Sequence, residues 1–140
     1  MENRFLSRGK RIDNGKWVEG CLIVDEKDYS KYFIGYMFGT NEDGTPHDLD
    51  VAQVDPSTIC RCTGINDKSG KLIWENDIIE CKDEKHNFQT QIEWDAYCAG
   101  FIFQDTETSA VGLDAITANG LYSESKVVGN IFDNPELLEV

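Results

Sequence analysis

The chain has 140 residues, enough for a single domain, 1–140, with a sizeable core. Hydrophobic residues make up 40% and aromatic residues 11%, which excludes a disordered polymer. The 26 Asp and Glu against 13 Lys and Arg give a net charge of -13, so the surface repels phosphate backbones and favours basic partners.

Residues 4–9 and Trp17–Val24 read as two strands joined by Asp13-Asn14-Gly15-Lys16, whose Asn-Gly pair suits a type I′ hairpin turn. A polar connection, 25–30, leads to a third strand at 32–38, apolar on both faces and so expected to be buried or covered. Residues 40–48 form a surface loop by composition, and 49–54 lead into the stretch 54–81 that organises the chain. There Asp55-Pro56-Ser57 opens a turn, with Pro presetting φ and Asp able to accept a backbone hydrogen bond. Residues 58–63 alternate as a strand with Cys60 and Cys62 on one face, and Gly64 ends it. Asp67-Lys68-Ser69-Gly70 is a loop of turn formers, and Leu72-Ile73-Trp74 a short apolar run. Glu75-Asn76-Asp77 turns the chain again. Asn76 is expected at positive φ, and the Asp77 carboxylate is expected to fix the turn by accepting backbone N–H bonds.

Residues 77–81 re-enter a strand, and 82–87 form a charged hairpin tip. Residues 89–95 alternate, with Thr90, Ile92 and Trp94 facing one way and Gln91, Glu93 and Asp95 the other. Ala99-Gly100 turns into 101–104, the antiparallel partner. Strands at 77–82, 89–95 and 101–104 predict a meander that curls into a small SH3-like barrel. Residues 110–121 admit a short helix or a strand, Gly112 and Gly120 weakening the helix. Residues 126–132 read as a last strand, and 134–138 as a terminal turn with Pro135 at a first helical position. The fold class is all-β: an SH3-like half-barrel core with an added N-terminal hairpin and C-terminal strand.

Cysteines stand at 21, 60, 62, 81 and 98, without a CxxC pair. With no leader-like run behind Met1-Glu2-Asn3-Arg4, and no apolar run near the roughly 18 residues a membrane helix needs, a cytoplasmic chain with reduced, mostly buried thiols is expected. Cys60-x-Cys62 with Cys81, Cys98, His47 and His86 is the one conceivable metal set. Zinc ribbons and fingers use turn-forming CxxC pairs, so these thiols read as small core hydrophobes and no metal or cofactor is expected. His47 and His86 both lie in polar loops, and no nucleophile is marked by a positioned base, so no catalytic residue is assigned. Trp17, Trp74, Trp94, Phe101 and Phe103 could stack single-stranded bases, but the negative charge opposes this and they read as core. Arg4, Arg8, Lys10, Arg11 and Lys16 form a basic patch on the first hairpin that could meet an acidic patch on another subunit.

Several stretches together resemble the YopX family of small phage and prophage proteins. They are Val54-Asp55-Pro56, Thr63-Gly64, Asp67-Lys68-Ser69-Gly70-Lys71, Ile73-Trp74-Glu75 and Asp77-Ile78-Ile79. Lys16-Trp17-Val18-Glu19-Gly20, Ile92-Glu93-Trp94-Asp95 with Gly100-Phe101, and the closing residues 128–138 agree in order and spacing. Asn76 stands where the family pattern has Gly, a replacement that tolerates the same backbone region. The resemblance implies a mostly β fold and a phage context, and no established activity. The expected function is a non-enzymatic accessory protein acting through protein contacts, self-association included. Binding or mimicry of nucleic acid is the alternative.

Overall fold

The computed structural model describes residues 5–46, 48–105, 110–118 and 122–139. Its strands are antiparallel, which bears out the all-β class, and its sheets are open; the meander expected over 77–82, 89–95 and 101–104 is divided between two three-stranded sheets. The chain divides into two compact units, the first ending at Cys62 and the second beginning at Thr63.

The first unit holds β1 (Ser7–Lys10), β2 (Trp17–Val24), β3 (Tyr32–Phe38), β4 (Asp48–Val54) and the opening residues of β5 (Cys60–Asn66). Gly15 takes φ 71° in the β1–β2 turn, and the Asn14 side chain accepts the Lys16 N–H at 2.9 Å, which closes the predicted hairpin. β2 changes partner halfway: Trp17–Gly20 pair with β1, and Cys21–Val24 pair with β3. Gly20 permits the change, because a Cβ there would lie 2.0 Å from the Gly35 carbonyl oxygen. β4 pairs along the whole of β3, from Tyr32↔Val54 to Phe38↔Asp48. The sequence marks residues 49–54 only as a lead-in, since Asp48 and Asp50 are poor strand formers; cross-strand pairing overrides that preference. Val18, Ile34, Ala52 and Val54 form the core, with Tyr32, Tyr36 and Ile59 packed against it. Asp55 caps the 3-10 turn Pro56–Thr58, accepting the Ser57 N–H at 3.0 Å, so Thr58 belongs to the turn and not to the strand expected there.

In the second unit β5 runs on to Asn66 with Gly64 inside it at φ 77°, not at its end. Then come β6 (Leu72–Trp74), β7 (Asp77–Lys82), β8 (Asn87–Gln91), β9 (Glu93–Asp95), β10 (Gly100–Gln104), β11 (Ala110–Gly112) and β12 (Ser125–Asn130). β12, β7 and β8 form one three-stranded sheet, and β11, β10 and β9 another. Residues 89–95 are therefore not one strand. Ile92 separates β8 from β9 because its N–H donates to the Asp77 carbonyl and its carbonyl accepts the Asn76 N–H, both at 2.8 Å. Segment 110–118 combines the two forms the sequence allowed, a strand and then a helical turn, Ala115–Ala118. The terminal turn is the 3-10 segment Pro135–Leu138, with Pro135 at its start as expected. Ile73, Ile79, Phe88, Ile92, Phe103 and Leu113 are the centre of the core.

Two carboxylates tie this unit together. Asp77 is 2% exposed and accepts the Trp74 N–H at 2.8 Å, across an Asn76 held at φ 69°. Asp67 accepts the Ser69 and Lys71 N–H groups (2.9 Å each) and the Val127 N–H of β12 at 2.8 Å. Burial pushes the Asp67 carboxyl up, but the N–H groups of Val127, Lys71 and Ser69, with the Ser69 hydroxyl, outweigh it and hold the group below the usual carboxylate value.

Asp77→Ala strands a buried N–H, and should lower the unfolding free energy by about 1–3 kcal/mol in urea titration. Asp67 stabilises the fold above its unfolded pKa, near 4, and that contribution is lost as pH falls through its lower folded value. Urea midpoints should thus drop below about pH 4, and Asp67→Asn should be less stable at neutral pH with a shallower acid decline.

Candidate functional site

Opposed residues of an antiparallel pair share a face. The rows Leu22↔Ile34↔Ala52 and Val24↔Tyr32↔Val54 therefore define the core side of the β2–β3–β4 sheet. Its other side carries Cys21, Ile23, Phe33, Met37, Leu49 and Val51. Ile23 is 43% exposed, Met37 59%, Leu49 69% and Val51 48%. Gly35 sits among them, and a Cβ there would meet the Ile23 Cδ1 at 3.3 Å. Single exposed hydrophobic residues are ordinary; a run of them on adjacent positions of one sheet face is a candidate contact surface. The expectation that strand 32–38 is covered on both faces fails here: neighbours pair its edges, but Met37 and Phe38 stay open.

One end of this surface is basic. Arg8 lies 4.7 Å and Lys10 5.4 Å from the Trp17 ring centre, both as cations over its face. Arg11 donates to the Asp13 carboxylate (2.8 and 3.0 Å) and to the Tyr36 hydroxyl at 3.1 Å, which holds its guanidinium more firmly protonated than usual. An open groove of about 460 Å³ is lined by Arg11, Lys16, Trp17, Tyr36 and Met37, so the basic hairpin runs directly into the apolar face. Arg4 lies outside the described residues.

The other residues singled out in the sequence scatter. Trp74 and Phe103 are buried, and Trp94 packs edge-to-face on Phe101 at 5.2 Å while staying 39% exposed. Within the second unit, buried Trp74 and Phe103 are not available as a stacking surface. Cys60 and Cys62 are buried on one face of β5 as expected, and the Cys60 thiol donates to the Thr58 carbonyl at 3.2 Å. Cys21 and Cys98 are exposed, and His47 lies outside the described residues.

Cys81 and His86, both members of the conceivable metal set that the sequence reading set aside, come together at the β7–β8 hairpin with Asp83 between them. The ligand atoms of all three lie within 4.8 Å of one another. Asp83 Oδ1 accepts the Lys85 and His86 N–H groups at 2.7 Å, and its carboxylate meets His86 Nδ1 at 2.9–3.0 Å. The His86 contact, opposed by desolvation and helped by the two N–H groups, holds the Asp83 carboxyl below its ordinary value. The His86 ring packs 4.6 Å from Tyr122, whose hydroxyl donates to Asp105 at 2.9 Å. His86 is thus half-buried and held, not a solvated loop histidine. Asp83 was missed in the sequence; the spacing Cys81-x-Asp83-x-x-His86 across a hairpin tip was the signal.

The model of the YopX protein family matches residues 7–139. The chain belongs to the YopX family. No curated protein matches the sequence. In this YopX chain the residues that carry the resemblance are largely structural: Asp55 caps a turn, Asp67 anchors β12, and Asp77 closes the turn at Asn76.

Burial pushes the Cys81 thiol up, eased by Ser125 and reinforced by Asp83 and Glu124. In the native YopX protein a thiol reagent should modify Cys21 and Cys98 quickly. Cys60, Cys62 and Cys81 should react only on unfolding, which mass mapping of the labelled peptides checks.

Proposed function

We infer that this YopX chain is a non-enzymatic phage accessory protein that works through protein contacts, self-association among them. The exposed β2–β4 face, with Met37, Leu49 and Val51 at its centre, carries this reading. Large apolar side chains fixed on a sheet cost little entropy to dock and lose water when covered, which is where interface energy concentrates. A second copy is a fitting occupant, because Arg8, Lys10 and Lys16 beside the face are complementary to the acidic surface implied by a net charge of -13. Such a basic-to-acidic contact is head to tail.

Sedimentation of the full chain from about 1 to about 100 micromolar should show a concentration-dependent oligomer. Leu49→Asp should weaken it at least about tenfold, while Tyr97→Asp, at a fully exposed position in the other unit, should leave it unchanged. A wild-type monomer throughout that range sinks the self-association reading. A salt-dependent mobility shift with single-stranded DNA would replace it with the nucleic-acid alternative.

A further inference from the structure

We propose that Cys81, Asp83 and His86 form a site for a zinc-class divalent ion, independent of the interaction surface on β2–β4. Thiolate, imidazole and carboxylate are the donor types zinc takes, and three protein ligands leave one position for water or an external ligand. In a tetrahedral zinc site, bond lengths near 2.3 Å for sulfur and 2.1 Å for nitrogen and oxygen put S and O about 3.6 Å apart and N and O about 3.4 Å apart. Here Cys81 Sγ stands 3.9 Å from Asp83 Oδ2, and His86 Nδ1 stands 2.9 Å from that same oxygen. Small side-chain adjustments therefore convert the hydrogen-bonded cluster into a ligand set.

The charges also balance. On binding, the Cys81 S–H bond breaks and its proton leaves to solvent, while sulfur keeps the electron pair and donates it to the metal. The His86 Nδ1–H bond that faces Asp83 breaks as well, its proton passing through solvent to Nε2 as the neutral tautomer or being released, which frees the Nδ1 lone pair for the metal. One thiolate, one carboxylate and one neutral imidazole around a divalent ion give a neutral site, so the buried thiolate is compensated. The Asp83 and His86 side chains, 23% and 19% exposed, leave the ion a route in past a fully buried Cys81.

Ser125 adds a separate observation. It pairs with Cys81 across the β12–β7 ladder and is 0% exposed, and among the described residues its hydroxyl has no hydrogen-bond partner of good geometry in the neutral-thiol state. The group it lies beside is the Cys81 sulfur. A neutral thiol is a weak acceptor, whereas a metal-bound thiolate would take that O–H bond and be oriented by it. The His86 ring is held in turn against Tyr122.

The test uses the full chain, purified without chelator for elemental analysis, then stripped and titrated with cobalt(II) alone. One zinc per chain as isolated, and one equivalent of cobalt giving a thiolate-to-metal absorption band, are expected. Cys81→Ser should abolish the band, and His86→Ala, near the surface and safer for folding, should weaken binding at least about tenfold. Cys98→Ser, at an exposed position away from the hairpin, should retain both. Circular dichroism confirms that each variant is folded. No band at stoichiometric cobalt in the wild type overturns the site, as does binding undiminished in folded His86→Ala.

Discussion

The turn at Asn76-Asp77 is the constraint on which the second unit depends. Asn76 takes φ 69°, a conformation open to few residues other than Gly, and so turns the chain sharply between β6 and β7. Several polar groups at this turn are then used. The Asp77 carboxylate takes the Trp74 N–H, the Asn76 N–H and Asp77 carbonyl engage Ile92, and the Asn76 carbonyl takes the Ile131 N–H at 3.1 Å. The Asn76 side chain accepts from Gln91 at 3.0 Å. One tight turn thereby fixes where β8 stops, where β9 begins and where the chain lies after β12. Asp67 does similar work at the next turn back, joining loop 67–71 to β12. At Asp67 a carboxylate is retained inside because three N–H donors replace the water it gave up, and at Asp77 the Trp74 N–H takes part of that place.

In the first unit the deciding feature is a side chain that is missing. Without a Cβ at Gly20, the Gly35 carbonyl can approach β2, and β2 can leave β1 for β3 partway along its length. The second half of β2 and the outer parts of β3 and β4 then carry apolar residues on a face that the unit's own core does not use. A sheet with one dry face and one open apolar face is stable in the first place because of the dry side: Val18, Ile34, Ala52 and Val54. The open side is free to serve contacts, and the cations over Trp17 give it a direction.

The hairpin at 82–87 shows how a structural element can gather chemistry. Asp83 closes the tip by accepting two N–H groups, and that same bonding places its carboxylate against His86. β-strand alternation sends Cys81 inward, and the ladder puts Ser125 opposite it. No single contact there is unusual; their convergence on one point is.

Much of the backbone was legible in the sequence. Trp17–Val24 and Tyr32–Phe38 could be bounded, the Asn14-Gly15 turn named, and positive φ assigned to Asn76, because these features follow from local sterics and side-chain periodicity. The family resemblance was equally available, since it rests on residue order alone. What could not be read were the decisions that need a partner strand. β4 exists despite Asp48 and Asp50 because β3 pairs with it, and residues 89–95 divide at Ile92 because that residue's backbone turns to Asn76-Asp77. The apolar face was hidden for the same reason: periodicity says that two faces differ, but only assembly of the sheet decides which of them is covered. Cys81, Asp83 and His86 were visible as residue types, but the distances that bring their donor atoms together are set by the hairpin's register and by its packing against Tyr122.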